Sequence, residues 1–214
     1  ITANVRYNDV SVRLGNGDGT FGAMTTYTMG NGSSAVGSAI AADINGDALP
    51  DLIAANGSMR LGNGAGSFGD RFSSTMGGSS KSVLAVDLNG DGALDLATAN
   101  DARTGTVSVR LGNGDGTFAA RVSYPTPRNP ESLVAADLDG DGTLDLVSAH
   151  DFANRASVRL GNGDGTFGAR VDYTMTNGPH SVAIEDMDRD GRLDLVTANR
   201  LSNDITVRLG VGDG

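Results

Sequence analysis

Asp137-Leu138-Asp139-Gly140-Asp141-Gly142-Thr143-Leu144-Asp145 places four carboxylates at positions 1, 3, 5 and 9 of a nine-residue stretch. Apolar, β-prone runs flank it, Ser132 to Ala136 before and Leu144 to Ala149 after. Three relatives of the phrase occur elsewhere: Asp43-Ile-Asn45-Gly-Asp47-Ala48-Leu49-Pro50-Asp51, Asp87-Leu-Asn89-Gly-Asp91-Gly-Ala93-Leu-Asp95, and Asp186-Met-Asp188-Arg-Asp190-Gly-Arg192-Leu-Asp194. Calcium is a hard cation that collects roughly 6–8 oxygen ligands, and a tight loop can aim alternate side chains at one point. Positions 1, 3 and 5 would supply side-chain oxygens, and Asp at position 9 would close the shell. The residue at position 7 (Leu49, Ala93, Thr143 or Arg192) would add a backbone carbonyl. Gly at position 6 permits the sharp bend. The helix-flanked calcium loop needs Glu at position 12, where this chain has Ala54, Thr98, Ser148 and Thr197. Flanks that alternate with a period of two read as strands.

Asp, Asn and Gly also make ordinary turns without any ion. Against that plainer reading stands mutual repulsion: four carboxylates in nine residues call for a cation. Ala48, Pro50 and Asn45 make the first loop the weakest candidate, and Asn89 makes the second intermediate.

The acidic phrase keeps step with a second one, and such self-similarity is the signature of a repeat architecture. Leu-Gly-Asn-Gly-Asp-Gly-Thr-Phe starts at Leu14, Leu111 and Leu160, with variants at Leu61 and Leu209. The intervals are 47, 50, 49 and 49 residues, against 44, 50 and 49 for the acidic loops. The repeats run approximately over 1–52, 53–96, 97–146 and 147–195, with a partial copy at 196–214. Each reads as four short strands, with the acidic loop between the first and second and the Asn-Gly-Asp-Gly turn between the third and fourth. Four antiparallel strands per unit of this length is a propeller blade. Ile1-Thr2-Ala3-Asn4 matches Val196-Thr197-Ala198-Asn199, so the chain is expected to enter at a second strand and finish after a third. Incomplete blades at either end could pair between molecules, giving head-to-tail self-association.

The pattern DxDxDG followed by Leu-Asp-Leu, with the Phe-Gly pairs Phe21-Gly22, Phe68-Gly69 and Phe167-Gly168, resembles the FG-GAP or VCBS repeats of integrin-α-like β-propellers. The resemblance covers essentially the whole chain and implies an all-β propeller, or propeller segment, of about four to five blades. It also implies that the loop joining the first two strands of a blade binds Ca²⁺, about four ions in all. Ala48, Pro50 and Ala119 depart from the pattern.

Composition agrees with such a module. The 214 residues carry a net charge of −10, and the four loops hold 14 of the 26 acidic residues. The acidity thus belongs to the loops, and no basic stripe suited to nucleic acid is present. There is no Cys, and no apolar run reaches the roughly 18 residues of a membrane span. Weak calcium loops suit an extracellular location, where calcium is near millimolar. The chain begins at Ile1 without a signal peptide, as a mature or excised segment would.

Other recurring residues have competing readings. Arg13, Arg60, Arg110, Arg159 and Arg208 share one place in the third strand, where pairing with acids between blades, or solvation, is the simpler account and an anion-binding ring the sharper one. Tyr27, Tyr124 and Tyr173 could stack on sugars, making a carbohydrate-binding lectin the rival class, or could simply fill strands. Asn4, Asn56, Asn100 and Asn199, with His150 in the remaining copy, suit turn formation. His150 and His180 show no metal-ligand spacing and no triad. Asn31-Gly-Ser33 and Asn56-Gly-Ser58 fit the glycosylation sequon. No acid/base pair outside the loops suggests an enzyme, so the expected role is a calcium-stabilised structural or adhesion module. Its partners would be a glycan, an extracellular protein or another copy, unless it is an accessory domain of a larger secreted protein.

Overall fold

The computed structural model describes residues 1–30, 36–101 and 104–214. The sequon at Asn31 lies outside the described residues. Among these residues every regular element is a strand. Five antiparallel sheets follow one another along the chain. The first holds β1 (Thr2–Asn4), β2 (Asp9–Val12) and β3 (Thr25–Thr28). Three four-stranded sheets come next: β4 (Ala39–Ala42), β5 (Asp51–Ala54), β6 (Ser58–Arg60) and β7 (Phe72–Ser73); β8 (Ser80–Val86), β9 (Asp95–Asn100), β10 (Thr106–Arg110) and β11 (Val122–Pro125); β12 (Pro130–Ala136), β13 (Asp145–His150), β14 (Arg155–Gly161) and β15 (Phe167–Thr174). The last holds β16 (Pro179–Glu185), β17 (Asp194–Asn199) and β18 (Asp204–Arg208). Each strand pairs with its neighbour in sequence, as propeller blades require. The incomplete end sheets match the strand phasing expected from the repeats.

Strands β4, β8, β12 and β16 lie side by side across successive sheets. Alternation within the second strand explains how the sheets stack. In β13, Leu146 faces back to the third sheet and packs with Val107 and Val109, while Val147 and Ala149 face forward and pack with Val182 and Leu195. The same division recurs with Leu96 against Met59, and with Leu52 against Val10 and Val12. A second strand is therefore buried on both faces wherever sheets flank it.

Small hydrogen-bonded contacts reinforce these seams. Val83 N–H donates to Ser38 Oγ at 3.1 Å, and Val182 N–H to Ser132 Oγ at 3.3 Å. The recurring arginines act here as well. Arg110 donates from Nε to Thr75 O of the preceding sheet at 3.0 Å and from Nη1 to Ala119 O at 2.7 Å. Arg159 reaches Pro125 O at 2.9 Å and stacks on Tyr124, 5.2 Å from the ring centroid. Tyr124 also meets Phe167 edge to face, with ring centroids 5.6 Å apart, and Tyr27 meets Phe68 in the same way at 5.1 Å. Arg, Tyr and the Phe of Phe-Gly thus form a clasp at the first and third seams, while Ser74 takes the tyrosine's place at the second and the fourth has Arg208 on Tyr173 without a Phe. The acceptors of Arg110 and Arg159 are backbone carbonyls and not acids.

At the end of the second strand the turn reading holds for Asn56, whose Oδ1 accepts from Ser58 N–H at 3.0 Å, but not for the later sheets. Asn100 is fully buried and does not make a turn. Its side chain accepts from Ser80 Oγ at 2.6 Å and Thr98 Oγ at 3.0 Å and donates to Ser108 Oγ at 2.9 Å, which ties three strands together. Asn199 likewise accepts from Thr197 Oγ1 at 3.0 Å and donates to Thr206 Oγ1 at 2.9 Å, which ties two strands. In the fourth sheet His150 takes this place, fully buried, with Nε2 2.9 Å from Ser148 Oγ.

Burial pushes the His150 imidazole down from 6.5 to about 4. An unfolded chain takes up a proton on this residue below pH 6.5, while the folded chain resists until about pH 4. Stability from this group is complete above pH 6.5 and declines as pH falls toward 4, by roughly 3 kcal/mol. Urea midpoints measured between pH 7 and 4.5 should fall more steeply for the native chain than for His150→Asn, which installs the residue of the neighbouring repeats. Parallel curves would refute the assignment.

Candidate metal centre

Each acidic loop leaves the end of a first strand and returns as the second. Its shape depends on two residues with left-handed backbone, at positions 4 and 6. Gly46, Gly90 and Gly140 hold position 4 and Gly92, Gly142 and Gly191 position 6, all with φ between 74° and 87°. Ala48 adopts φ 65° at position 6 and Arg189 φ 65° at position 4. A Cβ costs about 1–2 kcal/mol in that region. The loop is therefore formed in all four repeats, at a cost in the first and last.

Position 1 organises the turn. Asp87 Oδ1 accepts from the N–H of Gly90 at 2.7 Å, and Oδ2 from Gly92 at 2.8 Å. Asp43, Asp137 and Asp186 repeat the pattern. Burial works to raise the Asp43 and Asp87 carboxyls, but the converging N–H donors outweigh it and hold both below the usual range. At position 5, one oxygen of Asp47, Asp91, Asp141 and Asp190 accepts from the N–H of position 7, namely Leu49, Ala93, Thr143 and Arg192. The position-7 residues are thereby fixed through their amides.

Position 9 shapes the blade as well as the loop. Asp95 is fully buried, and its Oδ2 accepts from Leu88 N–H at 2.8 Å within the loop. Its Oδ1 accepts from Gly112 N–H at 2.8 Å, at the end of the third strand. The same two bonds join Asp51 to Ile44 and Gly62, Asp145 to Leu138 and Gly161, and Asp194 to Met187 and Gly210. A Cβ on Gly112 would sit 2.2 Å from Leu94 O, so glycine is required where the loop presses on the third strand. Burial, with repulsion from the other loop acids, raises the carboxyls of Asp51, Asp95 and Asp145.

Three acids converge in each of the last two loops. One oxygen from each of Asp137, Asp139 and Asp145 lies within 4.8 Å of the others, as do oxygens of Asp186, Asp188 and Asp194. Among the described residues no Lys or Arg forms a salt bridge with these six; the loops' ion pair is Arg192 with Asp190, at 3.9 Å. Asp141 and Asp190 stand outside the triads. In the first two loops Asn45 and Asn89 take position 3, and each amide donates to the position-5 carboxylate, at 3.0 and 2.9 Å. An all-oxygen donor set of this kind fits a hard divalent cation.

Two substitutions probe these loops. Ala48→Gly should raise stability by about 1 kcal/mol, read as a shift in urea midpoint, because it removes the left-handed penalty. Asp95→Ala should lower it by roughly 3 kcal/mol even in chelator, because two buried amides lose a charged acceptor. A loss of stability only when calcium is present would show that Asp95 serves the ion alone.

The sequence pattern of the FG-GAP-like repeat family matches residues 1–54, 87–148 and 139–197, more than half of the chain. Among curated proteins none matches the chain. Among solved structures, a lectin of Agrocybe aegerita described as recognising non-reducing terminal N-acetylglucosamine is similar over 100% of this chain, with 22% identity and a TM-score of 0.62. This chain covers 62% of that lectin chain, and the likeness is one of fold. BBS1N, from its complex with ARL6DN, is more distant, at 10% identity and a TM-score of 0.47 over 92% of this chain and 71% of that one.

Proposed function

We propose that this chain, which belongs to the FG-GAP-like repeat family, is a non-catalytic calcium-binding β-propeller module of an extracellular structural or adhesion protein. The observation that carries the reading is the convergence of Asp137, Asp139 and Asp145, and of Asp186, Asp188 and Asp194, without basic partners among the described residues. The hydrogen bonds already made to these carboxylates orient their oxygens, as a bound ion requires. Asp43, Asn45, Asp47 and Asp51, with Asp87, Asn89, Asp91 and Asp95, form two further sites of weaker charge.

Calcium in this reading staples the blades. At an ion concentration about tenfold above the dissociation constant, each site adds about 1.4 kcal/mol. Four sites supply roughly 5–6 kcal/mol, comparable to the stability of an ordinary domain. The carbohydrate-binding alternative is supported by the likeness of fold to the lectin, but not by the tyrosines. Tyr124 and Tyr173 already carry Arg159 and Arg208 on their rings, at 5.2 and 4.6 Å.

Melting in excess EDTA should fall sharply below that in millimolar calcium, and Asp139→Asn with Asp188→Asn should remove much of the difference. An unchanged melting temperature in EDTA would refute calcium as the staple.

A further inference from the structure

The strand ends opposite the acidic loops carry a second constellation. Lys81, Glu131 and His180 are each the second residue of a first strand, and each sits where the pairing register slips, between Ser80 and Ser82, Pro130 and Ser132, and Pro179 and Ser181. Such bulges re-aim a side chain. All three line a cavity of about 780 Å³ whose walls include Ser79, Asn56 and Asp101. Asp151 follows the second strand of the fourth sheet, beside Glu131 and His180.

We propose that Glu131, Asp151 and His180 form a divalent transition-metal site of the zinc class at the seam between the fourth and fifth sheets, separate from the acidic loops. A ring nitrogen of His180 and one oxygen of each carboxylate lie within 4.8 Å of one another. Nδ1 of His180 stands 4.0 Å from Oδ2 of Asp151. One imidazole with two carboxylates suits zinc, whereas calcium prefers oxygen alone.

Asp151 is buried, only 2% exposed, with one oxygen, Oδ1, unpaired among the described residues, while the other, Oδ2, is the one 4.0 Å from His180. A buried carboxylate oxygen left unpaired costs free energy that a bound ion would recover. Oδ2 of the same group accepts from Arg200, from Nε at 3.1 Å and Nη2 at 2.6 Å. Arg200 thus fixes the carboxylate from outside, as a positioning residue does around a metal ligand. Glu131 is held loosely, by Lys81 at 3.4 Å and by Asn129 Nδ2 at 3.4 Å. In that pair Lys81 is 36% and Glu131 12% exposed, so the carboxylate is largely buried while the ammonium keeps access to solvent. His180, half-exposed, leaves the entry side to solvent.

Comparison between the repeats marks this seam out. The corresponding residues are Lys81, Asp101 and Glu131 at the seam before it, and Gly37, Gly57 and Lys81 at the one before that. Of these three seams, only that between the fourth and fifth sheets replaces lysine and glycine with a full set of donors.

Titration of the calcium-loaded chain with zinc chloride, followed calorimetrically, should show one zinc ion per chain at this site. His180→Ala should weaken it about tenfold or more, with unchanged melting because the side chain is half-exposed. Asp139→Asn with Asp188→Asn in the acidic loops should leave zinc affinity unchanged. The proposal is overturned if no saturable zinc binding is seen at millimolar metal, if His180→Ala binds as the native chain does, or if the acidic-loop variant loses the zinc.

Discussion

The buried carboxylate at position 9 of each acidic loop is the constraint on which the rest of the blade depends. Its two oxygens accept N–H groups from the loop's second residue and from the glycine that ends the third strand. A loop meant only to hold an ion would not need the second bond, and a blade meant only to pack would not need the first. Because one side chain does both, loop geometry and blade geometry are set together. The two phrases therefore recur together in each repeat, although the separation between this Asp and its glycine ranges from 11 residues in the first loop to 17 in the second. A charge buried this way is tolerated because both oxygens have donors, at distances of 2.7 to 2.9 Å in all four repeats.

Stacking of the sheets follows from an alternation equally simple. Leu at the second residue of the middle strand faces backward, and Val, Ile or Ala at the third faces forward. At the last sheet no further sheet covers the forward face. Ile205 is 69% and Val207 45% exposed there, whereas Val107 and Val109, in the same places two sheets earlier, are each 2% exposed. Packing in this molecule is thus a property of neighbours and not of the blade alone. The clasp of Arg, Tyr and Phe works likewise, since every member needs a partner from the adjoining sheet.

Much of this was legible in the residues, and what was not shares one cause. Strand order, the phasing of the end sheets and the four acidic loops all follow from local patterns repeated along the chain. The partners of Arg110 and Arg159 did not, because the acceptors are backbone carbonyls 35 and 34 residues away, which side-chain chemistry cannot signal. Asn100 read as a turn former, because its type is common in turns. Its burial depends on the serine and threonine of two other strands. Glycine at position 6 was recognised, but the equal demand at position 4 was hidden by Arg189, which meets it under strain. His180 was set aside because it lacks a nearby ligand in sequence. Its partner Glu131 lies one repeat earlier, and so does Asp151 from Arg200, 49 residues apart. Adding one repeat to each position would have brought both pairs together.

That observation bears on how function is to be sought in a repeated fold. A residue present in every repeat is answerable first to the demands that every repeat shares: closing a turn, filling a seam, satisfying a buried amide. The acidic loops belong to this class even if calcium occupies them, since the ion then serves stability wherever the loop recurs. Chemistry that distinguishes one face of the molecule from another must come from places where the repeats disagree while the backbone stays the same. The bulged residue of the first strand is such a place. Its backbone slips identically at Lys81, Glu131 and His180, while its side chain is basic, acidic and imidazole in turn. Invariant backbone with divergent side chains is what a scaffold offers when its geometry has been settled by other residues. It concentrates the individuality of this chain at the strand ends opposite its acidic loops.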